Sequence, residues 1–449
     1  MSASKRRQGL VQSDPVDASF DALFLGELRQ FQQRFESIFP DQRLFKVFGQ
    51  LLKGVIAAGV PIIARIAAAV IQSNDPRRAF HVAKRYYRWL KNKRFRHQDL
   101  LKPAYELTRE LFQSAKGEYV LVVLDFSNLE KPYGYEFEDL CILKATGRRP
   151  GPRLHKGLVP GYNQLLALAM SRDRVGLTCA RTISYVNEDF VSLNREIFRA
   201  IRYSHLILPT HKLRFVCDTE FDDEKTFGFI VDLDEEFVFR LCHNRTLLVG
   251  KKRRKVLLED LIPTIRRSFR FDSYFRMGGR WRKYQVNLGY IKVWLPGHEQ
   301  PYWLVVSQVP ALGQMWILLT NVPIRSVKQA KEIWFNYRRR WRIEQEFRFI
   351  KKEGLRIEDF KVLGLENIRR LVNVVLLAAL FILNGRLLFP KEALRILLRL
   401  GGKLGLKSER DGPYLLMRGL SKILACLATL ALLKQEGLLD SFLELLDAL

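Results

Sequence analysis

The chain has little of what metal-binding and disulfide-rich proteins use: five cysteines and seven histidines in 449 residues. Cys141, Cys179, Cys217, Cys242 and Cys426 form no close pair at metal-ligand spacing, and the histidines are scattered singly. A zinc site or a disulfide framework is therefore not expected, and a reducing cytoplasm fits. Long hydrophobic runs are also scarce. The stretch from Val55 to Gln72 is broken by Pro61 and Arg65, and Leu371 to Leu383 contains Asn373 and falls short of the roughly 20 residues that a span needs. Both read as buried helices, with no membrane association. The amino-terminal MSASKRRQGLVQSDPVD has no apolar core behind its basic residues, so it is not read as a secretory signal. Acidic charge is the last shortage: 47 Asp plus Glu stand against 75 Lys plus Arg, a net charge of +28 spread through the chain. A folded protein with a large basic surface is expected, and its natural partner is a polyanion. Nucleic acid binds such surfaces by releasing counterions, whereas an acidic membrane normally needs an additional anchor.

What is present suggests two to four domains with sizeable cores, at 48% hydrophobic residues. Residues 1–117 read as helical, and "HVAKRYYRWLKNKRFRH" (His81–His97) interleaves cations with Tyr86, Tyr87, Trp89 and Phe95. Lys84, Arg85 and Arg88 are candidate DNA-backbone contacts there, against the ordinary alternative of a solvated basic helix. Residues 118–243 alternate short apolar strands with helices: "YVLVVLDF", "YNQLLALAM" and "VGLTCARTISYV", a helix near 189–203, "KLRFVCDTEF", a helical turn and "EEFVFRLCHN". This order gives an α/β unit with a mixed sheet. Residues 244–322 read as β-rich, and 323–365 hold a long helix capped by Ser326 and ended near Gly354. The Leu-rich helices of 366–449 suit a dimer contact or intramolecular packing equally well.

On the long helix, Tyr337, Arg340, Glu344 and Lys351 recur at intervals that keep them on one face. A carboxylate framed by cations and a phenol suits a phosphodiester beside a metal ion, although Glu-to-Arg pairing on an amphipathic helix gives the same spacing. Asp125 and Asp218 each follow an apolar strand, in "LVVLD" and "RFVCD". A lone aspartate at a strand end is usually a turn former, but two of them with a helical glutamate can bind two Mg²⁺ ions about 3.5–4 Å apart for in-line phosphoryl transfer. Glu220, Asp222 and Asp223 compete for the second position, and Glu346 and Glu353 for the third. Asp218 ends its strand, and only Glu344 is in register with the tyrosine, arginine and lysine.

The spacing Tyr337-x2-Arg340-x3-Glu344-x6-Lys351, within "WILLTNVPIRSVKQAKEIWFNYRRRWRIEQEF" and its continuation, resembles the signature of bacterial insertion-sequence DDE transposases with a Tyr-Arg-Glu-Lys motif, a hairpin-type cut-and-paste family. The order of Asp125, Asp218, a β-rich segment and Glu344 matches that family along most of residues 118–352. The resemblance implies a ribonuclease-H-like catalytic core with a β-rich insertion, flanked by N- and C-terminal helical domains. It implies Asp125 bridging two Mg²⁺ ions (Mn²⁺ can substitute), with Asp218 and Glu344 each holding one, and Tyr337, Arg340 and Lys351 gripping a phosphate. It further implies a homodimer on double-stranded DNA with terminal inverted repeats, a target DNA, and a hairpin intermediate. Trp316, twenty-eight residues before Glu344, stands where the family places a base-stacking tryptophan; a core strand residue is the alternative, and Trp341 is a second stacking candidate. "DFSNLEKP" lacks the acidic or hydroxyl partner that some members carry directly after the first aspartate. Two rivals keep the fold: a sequence-nonspecific nuclease, and a catalytically inactive or co-opted transposase that only binds DNA.

Overall fold

The computed structural model describes residues 15–71, 75–114, 119–145, 157–171, 173–278, 280–403 and 412–447. The basic amino-terminal residues up to 14, the expected boundary after residue 117 and most of the polar loop at 408–413 lie outside them. The chain divides into two compact units, residues 1–100 with 353–361 and 374–449, and residues 101–352 with 362–373.

The first unit is helical. It begins with α1 (Pro15–Gln33), α2 (Gln42–Ala58), α3 (Ile63–Val70) and α4 (Pro76–Leu90). Asp41 caps α2 by accepting from the Leu44 N–H at 2.9 Å, and Gly59 ends it in the left-handed conformation that a side chain would resist. An aromatic core joins them: Phe35 lies 4.9 Å from Phe48, and Trp89 lies 4.8 Å from Phe95 and donates through Nε1 to the Leu44 carbonyl at 3.0 Å. Helix α4 sorts its mixed sequence by face. Tyr86 and Trp89 are buried in that core, whereas Lys84, Arg85 and Arg88 are exposed together with Tyr87, so only part of the interleaved aromatic set leaves the cationic surface.

In the second unit, α5 (Lys102–Gln113) precedes β1 (Val120–Glu130), β2 (Cys141–Lys144), β3 (Leu158–Met170), β4 (Val175–Ile183), α6 (Leu193–Ile207), β5 (Leu213–Cys217), α7 (Glu224–Asp232) and β6 (Glu236–Arg240). Then follow β7 (Thr246–Val249), β8 (Arg254–Leu257), α8 (Leu258–Thr264), β9 (Phe269–Met277), β10 (Arg280–Trp294), β11 (Tyr302–Val309), β12 (Gln314–Thr320) and α9 (Val327–Arg348). The unit starts at 101 because α5 belongs to the sheet: Thr108 donates through Oγ1 to the Leu177 carbonyl of β4 at 2.8 Å.

One sheet runs β2-β3-β1-β5-β6-β12-β11-β10-β7-β8, with β4 paired to β3 and β9 to β10. Strands β1, β5 and β6 are mutually parallel, and β3 and β4 are antiparallel to their neighbours. The β-rich segment does not stand apart from the core. Its strand β12 pairs with β6, Leu318 opposite Arg240, so these strands continue the same sheet. Alternation sorts the side chains of β1 and β5. Val120, Val122 and Leu124, with Leu213, Phe215 and Cys217, join one core with Ile197 and Ile201 of α6 and Phe227 and Ile230 of α7. Intervening residues face the opposite side, where Arg214 of β5 meets Glu332 of α9 at 2.8 Å.

The expected long helix starts at its Ser326 cap, which accepts from the Gln329 N–H, but the α-helix ends at Arg348 and a π-helical turn covers Phe349–Glu353. Beyond it, α10 (Leu365–Leu383) contributes its first part to this unit and its remainder to the helical unit. The helical unit is completed by α11 (Gly385–Leu388), α12 (Lys391–Leu400), α13 (Pro413–Gln435) and α14 (Leu439–Asp447). Gly419 lies against the Leu397 carbonyl and Gly401 against that of Leu415, so the backbones of α12 and α13 cross where a Cβ would not fit. By length and composition alone α13 is apolar enough to cross a membrane, which the two stretches weighed from the sequence did not include; a third of that window is buried within the fold.

Candidate active site

The two aspartates are brought together by strand register. Pairs Val120–Leu213 to Val123–Val216 fix the parallel alignment of β1 and β5, and the same offset carried two residues further sets Asp125 opposite Asp218. Asp125 is not at the end of its strand, as the sequence suggested. Strand β1 runs on to Glu130 because its other edge stays paired with β3, Asp125 opposite Leu166. The aspartate stands instead where the parallel partner β5 leaves the sheet at Cys217. Both aspartates fall on the face opposite the α6–α7 core, which is the face α9 covers. There Arg340 ties the constellation together: its Nη2 lies 2.6 Å from Glu344 Oε1 and 3.1 Å from Asp218 Oδ2, and its Nη1 3.8 Å from Asp125 Oδ2.

Neighbouring groups hold each carboxylate in place. The Phe126 N–H donates to Asp125 Oδ1 at 3.1 Å and the Thr219 N–H to Asp218 Oδ1 at 2.8 Å. Tyr337, nearly buried, donates its hydroxyl to Asp218 Oδ1 at 3.1 Å, and Arg240 at the end of β6 lies 3.8 Å from the same oxygen. Lys351 is displaced by the π turn toward β1, where its Nζ donates to the Asn128 carbonyl at 2.6 Å and to Ser127 Oγ at 3.1 Å. Arg340 thus meets both Tyr337 and Glu344, and Lys351 is engaged further along β1.

Burial dominates the electrostatics. It pushes the Asp125 carboxyl up to about 7, against the pull of Arg340 and with the help of Glu344, Glu220 and Asp218. The Tyr337 phenol is pushed up to about 12, again chiefly by burial. Burial opposes the charge of Arg340, yet Tyr337, Asp218, Asp125 and Glu344 together hold it above its ordinary value. Glu346, two residues from Glu344 but buried on another face beside Arg342, is pushed up by burial to about 7. It does not join Asp125 and Asp218.

Three carboxylates on a sheet and a helix are the hard oxygen donors that Mg²⁺ takes, so the donor chemistry fits such an ion. Among the described residues, however, no group of three or more His, Cys, Asp or Glu stands close enough to hold a metal, and the Arg340 guanidinium lies within 4 Å of all three carboxylates.

Beside the carboxylates opens a cavity of about 640 Å³, bordered by Trp316, Tyr337, Arg340, Trp341, Glu344 and Trp281. Trp316 is neither free nor fully core: it stacks on Trp334 with centroids 5.3 Å apart and meets Tyr337 edge-on at 5.2 Å, while bordering the cavity. Trp341 meets Trp281 edge-on at 6.3 Å. Sequence reasoning missed Arg240 and Trp281. The rule that drew attention to Asp218, a charged residue at the end of an apolar strand, would have found Arg240. Nothing in the local pattern of β10 marks Trp281, which reaches the cavity only because β9 and β10 form its wall. Lys84, Arg85 and Arg88 belong to the helical unit.

No curated protein matches the chain. Residues 193–381 match the family model of the transposase DDE domain, a domain that implies a ribonuclease-H-like core. The matched span includes Asp218 and Glu344 and begins after Asp125. The match supports a DNA-acting DDE transposase.

Proposed function

We propose that this protein is a cut-and-paste DNA transposase of the Tyr-Arg-Glu-Lys type, with Asp125, Asp218 and Glu344 as its catalytic carboxylates. One observation carries the reading: carboxylates on β1, just after β5 and on α9, far apart in sequence, meet a single guanidinium on the face of the sheet that α9 covers. Asp125, Asp218 and Glu344 would hold two Mg²⁺ ions, for which Mn²⁺ can substitute. When bound, such ions activate an attacking oxygen and stabilise a leaving one.

The remaining work falls to the chain itself. Arg340, the Tyr337 hydroxyl and Lys351 hold phosphate oxygens of the DNA end, by charge-assisted hydrogen bonds. The adjoining cavity accepts a base displaced from the stack, with Trp316 as its stacking partner and Trp341 at its border. That displacement lowers the cost of bending one strand into a hairpin. Water breaks one strand and leaves a 3′-hydroxyl, which attacks a phosphodiester of the opposite strand and expels the 3′-oxygen of the flanking DNA; a second water reopens the hairpin, and the 3′-hydroxyls then attack target phosphodiesters, each expelling a target 3′-oxygen. The exposed cations of α4, Lys84, Arg85 and Arg88, contact the DNA backbone, and the protein works in the cytoplasm as a homodimer on double-stranded DNA bounded by terminal inverted repeats.

Incubation of the full chain with the inverted-repeat DNA flanking its gene and Mg²⁺ tests the reading. Nicked, hairpin and joined products are expected, and Asp125→Ala should abolish all three while DNA binding persists. Cleavage by the Asp125→Ala variant, or cutting of arbitrary DNA without joined ends, overturns it.

A further inference from the structure

Arg340 occupies the place where the three carboxylates would have to close on an ion. Its guanidinium reaches Glu344 at 2.6 Å, Asp218 at 3.1 Å and Asp125 at 3.8 Å, and the residue is 8% exposed. A planar group with five fixed N–H donors can bridge three separate oxygens, which a point-like ammonium does less well. Three negative charges brought this close repel one another unless a cation stands among them. Arg240 approaches only Asp218, at 3.8 Å, so Arg340 is the group that serves all three.

The same arginine is not fully satisfied where it sits. Its Nε is buried without a hydrogen-bond partner, the kind of loss that weakens a buried arrangement. It also borders the cavity beside the carboxylates, so a rotation of one side chain exchanges carboxylate oxygens for whatever anion enters that space.

We propose that Arg340 is the resident counter-cation of the carboxylate site: it holds Asp125, Asp218 and Glu344 together in the metal-free protein, competes with divalent ions for them, and turns into the adjoining cavity to take a DNA phosphate when the ions bind. The inference rests on the reading of these carboxylates as the metal site, and it adds an order to events. Because the guanidinium cannot serve carboxylates and phosphate at once, a phosphate in the cavity favours metal loading, and metal loading favours the phosphate, by the same factor. The free protein is thereby held in a weakly metal-binding state.

Mn²⁺ binding to the purified full chain without DNA, followed by the electron paramagnetic resonance of free Mn²⁺, tests this. Arg340→Gln is expected to bind Mn²⁺ at least tenfold more tightly than the wild type, equivalent to about 1.4 kcal/mol. Its metal-free Tm should fall by several degrees, and Mn²⁺ should restore it. Arg340→Lys, which keeps the charge and covers the case of a glutamine variant that does not fold, should lie between the two. Asp125→Asn should abolish tight binding in either background. Equal or weaker Mn²⁺ binding by the folded Arg340 variants, with Asp125-dependent binding intact in the wild type, overturns the counter-cation role alone. Absence of Asp125-dependent binding in every variant overturns the metal site, and this inference with it.

Discussion

Trp316→Ala separates two roles that the indole fills at once. In the fold it stacks on Trp334 and supports Tyr337 edge-on, so truncation removes packing; at the cavity it offers a face to a displaced base. Base-aromatic stacking contributes about 1–3 kcal/mol, which converts to about 5- to 160-fold in the rate of end cleavage if the stack forms before the limiting step. The packing loss acts on any DNA, whereas the stacking loss needs a base to stack. Single-turnover cleavage is therefore compared on two inverted-repeat duplexes, one intact and one lacking the base at the displaced position. Wild type should fall on the abasic duplex by the stacking factor, Trp316→Ala should fall on the intact duplex by that factor and any packing factor together, and the variant should be indifferent to the missing base. Trp316→Phe should retain most of the wild-type preference. Equal losses for the variant on both duplexes would refute the stacking role and leave Trp316 as a packing residue only.

Tyr337→Phe keeps the ring against Trp316 and removes the hydroxyl that donates to Asp218. A hydrogen bond to a charged acceptor contributes about 1.5–3 kcal/mol, and since Asp218 keeps Thr219 and Arg340, a loss near the lower end is expected in urea unfolding of the chelator-treated protein; an unchanged midpoint would show the bond to be idle. Glu346→Gln addresses pH. Burial raises the folded-state value of Glu346 to about 7 from the ordinary 4.5. The native state therefore binds more protons than the unfolded chain between these values, and stability is lost as pH rises from about 4.5 to 7. The glutamine variant should lack that component, at most about 3 kcal/mol, so the wild-type advantage measured at pH 5 should shrink by pH 7.5; parallel stability curves for the two proteins would contradict the assignment.

Local pattern was enough wherever neighbours along the chain decide the outcome. Ser326 announces the start of α9 because its side chain answers an orphan N–H three residues on, and the apolar runs of β1, β3, β4, β5 and β6 read as strands because their residues are branched and aromatic. The interval from Tyr337 to Glu344 was legible for the same reason, since helical spacing is periodic. Lys351 lies past the point where that period holds, and the π turn that redirects it has no mark in the sequence. The aromatic residues of α4 were misleading in part: Tyr86 and Trp89 turn into the core once the helix buries one side, while Tyr87 stays exposed with the cations.

By itself, then, the sequence determined the helices, the strands and the excess of basic residues, because propensity, periodicity and charge belong to each residue and its near neighbours. Tertiary structure alone decided that β1 and β5 pair in the register that sets Asp125 opposite Asp218, that the β-rich segment extends the core sheet through β12, and that Arg340 stands among three carboxylates rather than beside one. Such placements depend on pairings across about eighty residues or more, which are selected by the burial of whole faces and leave no local trace.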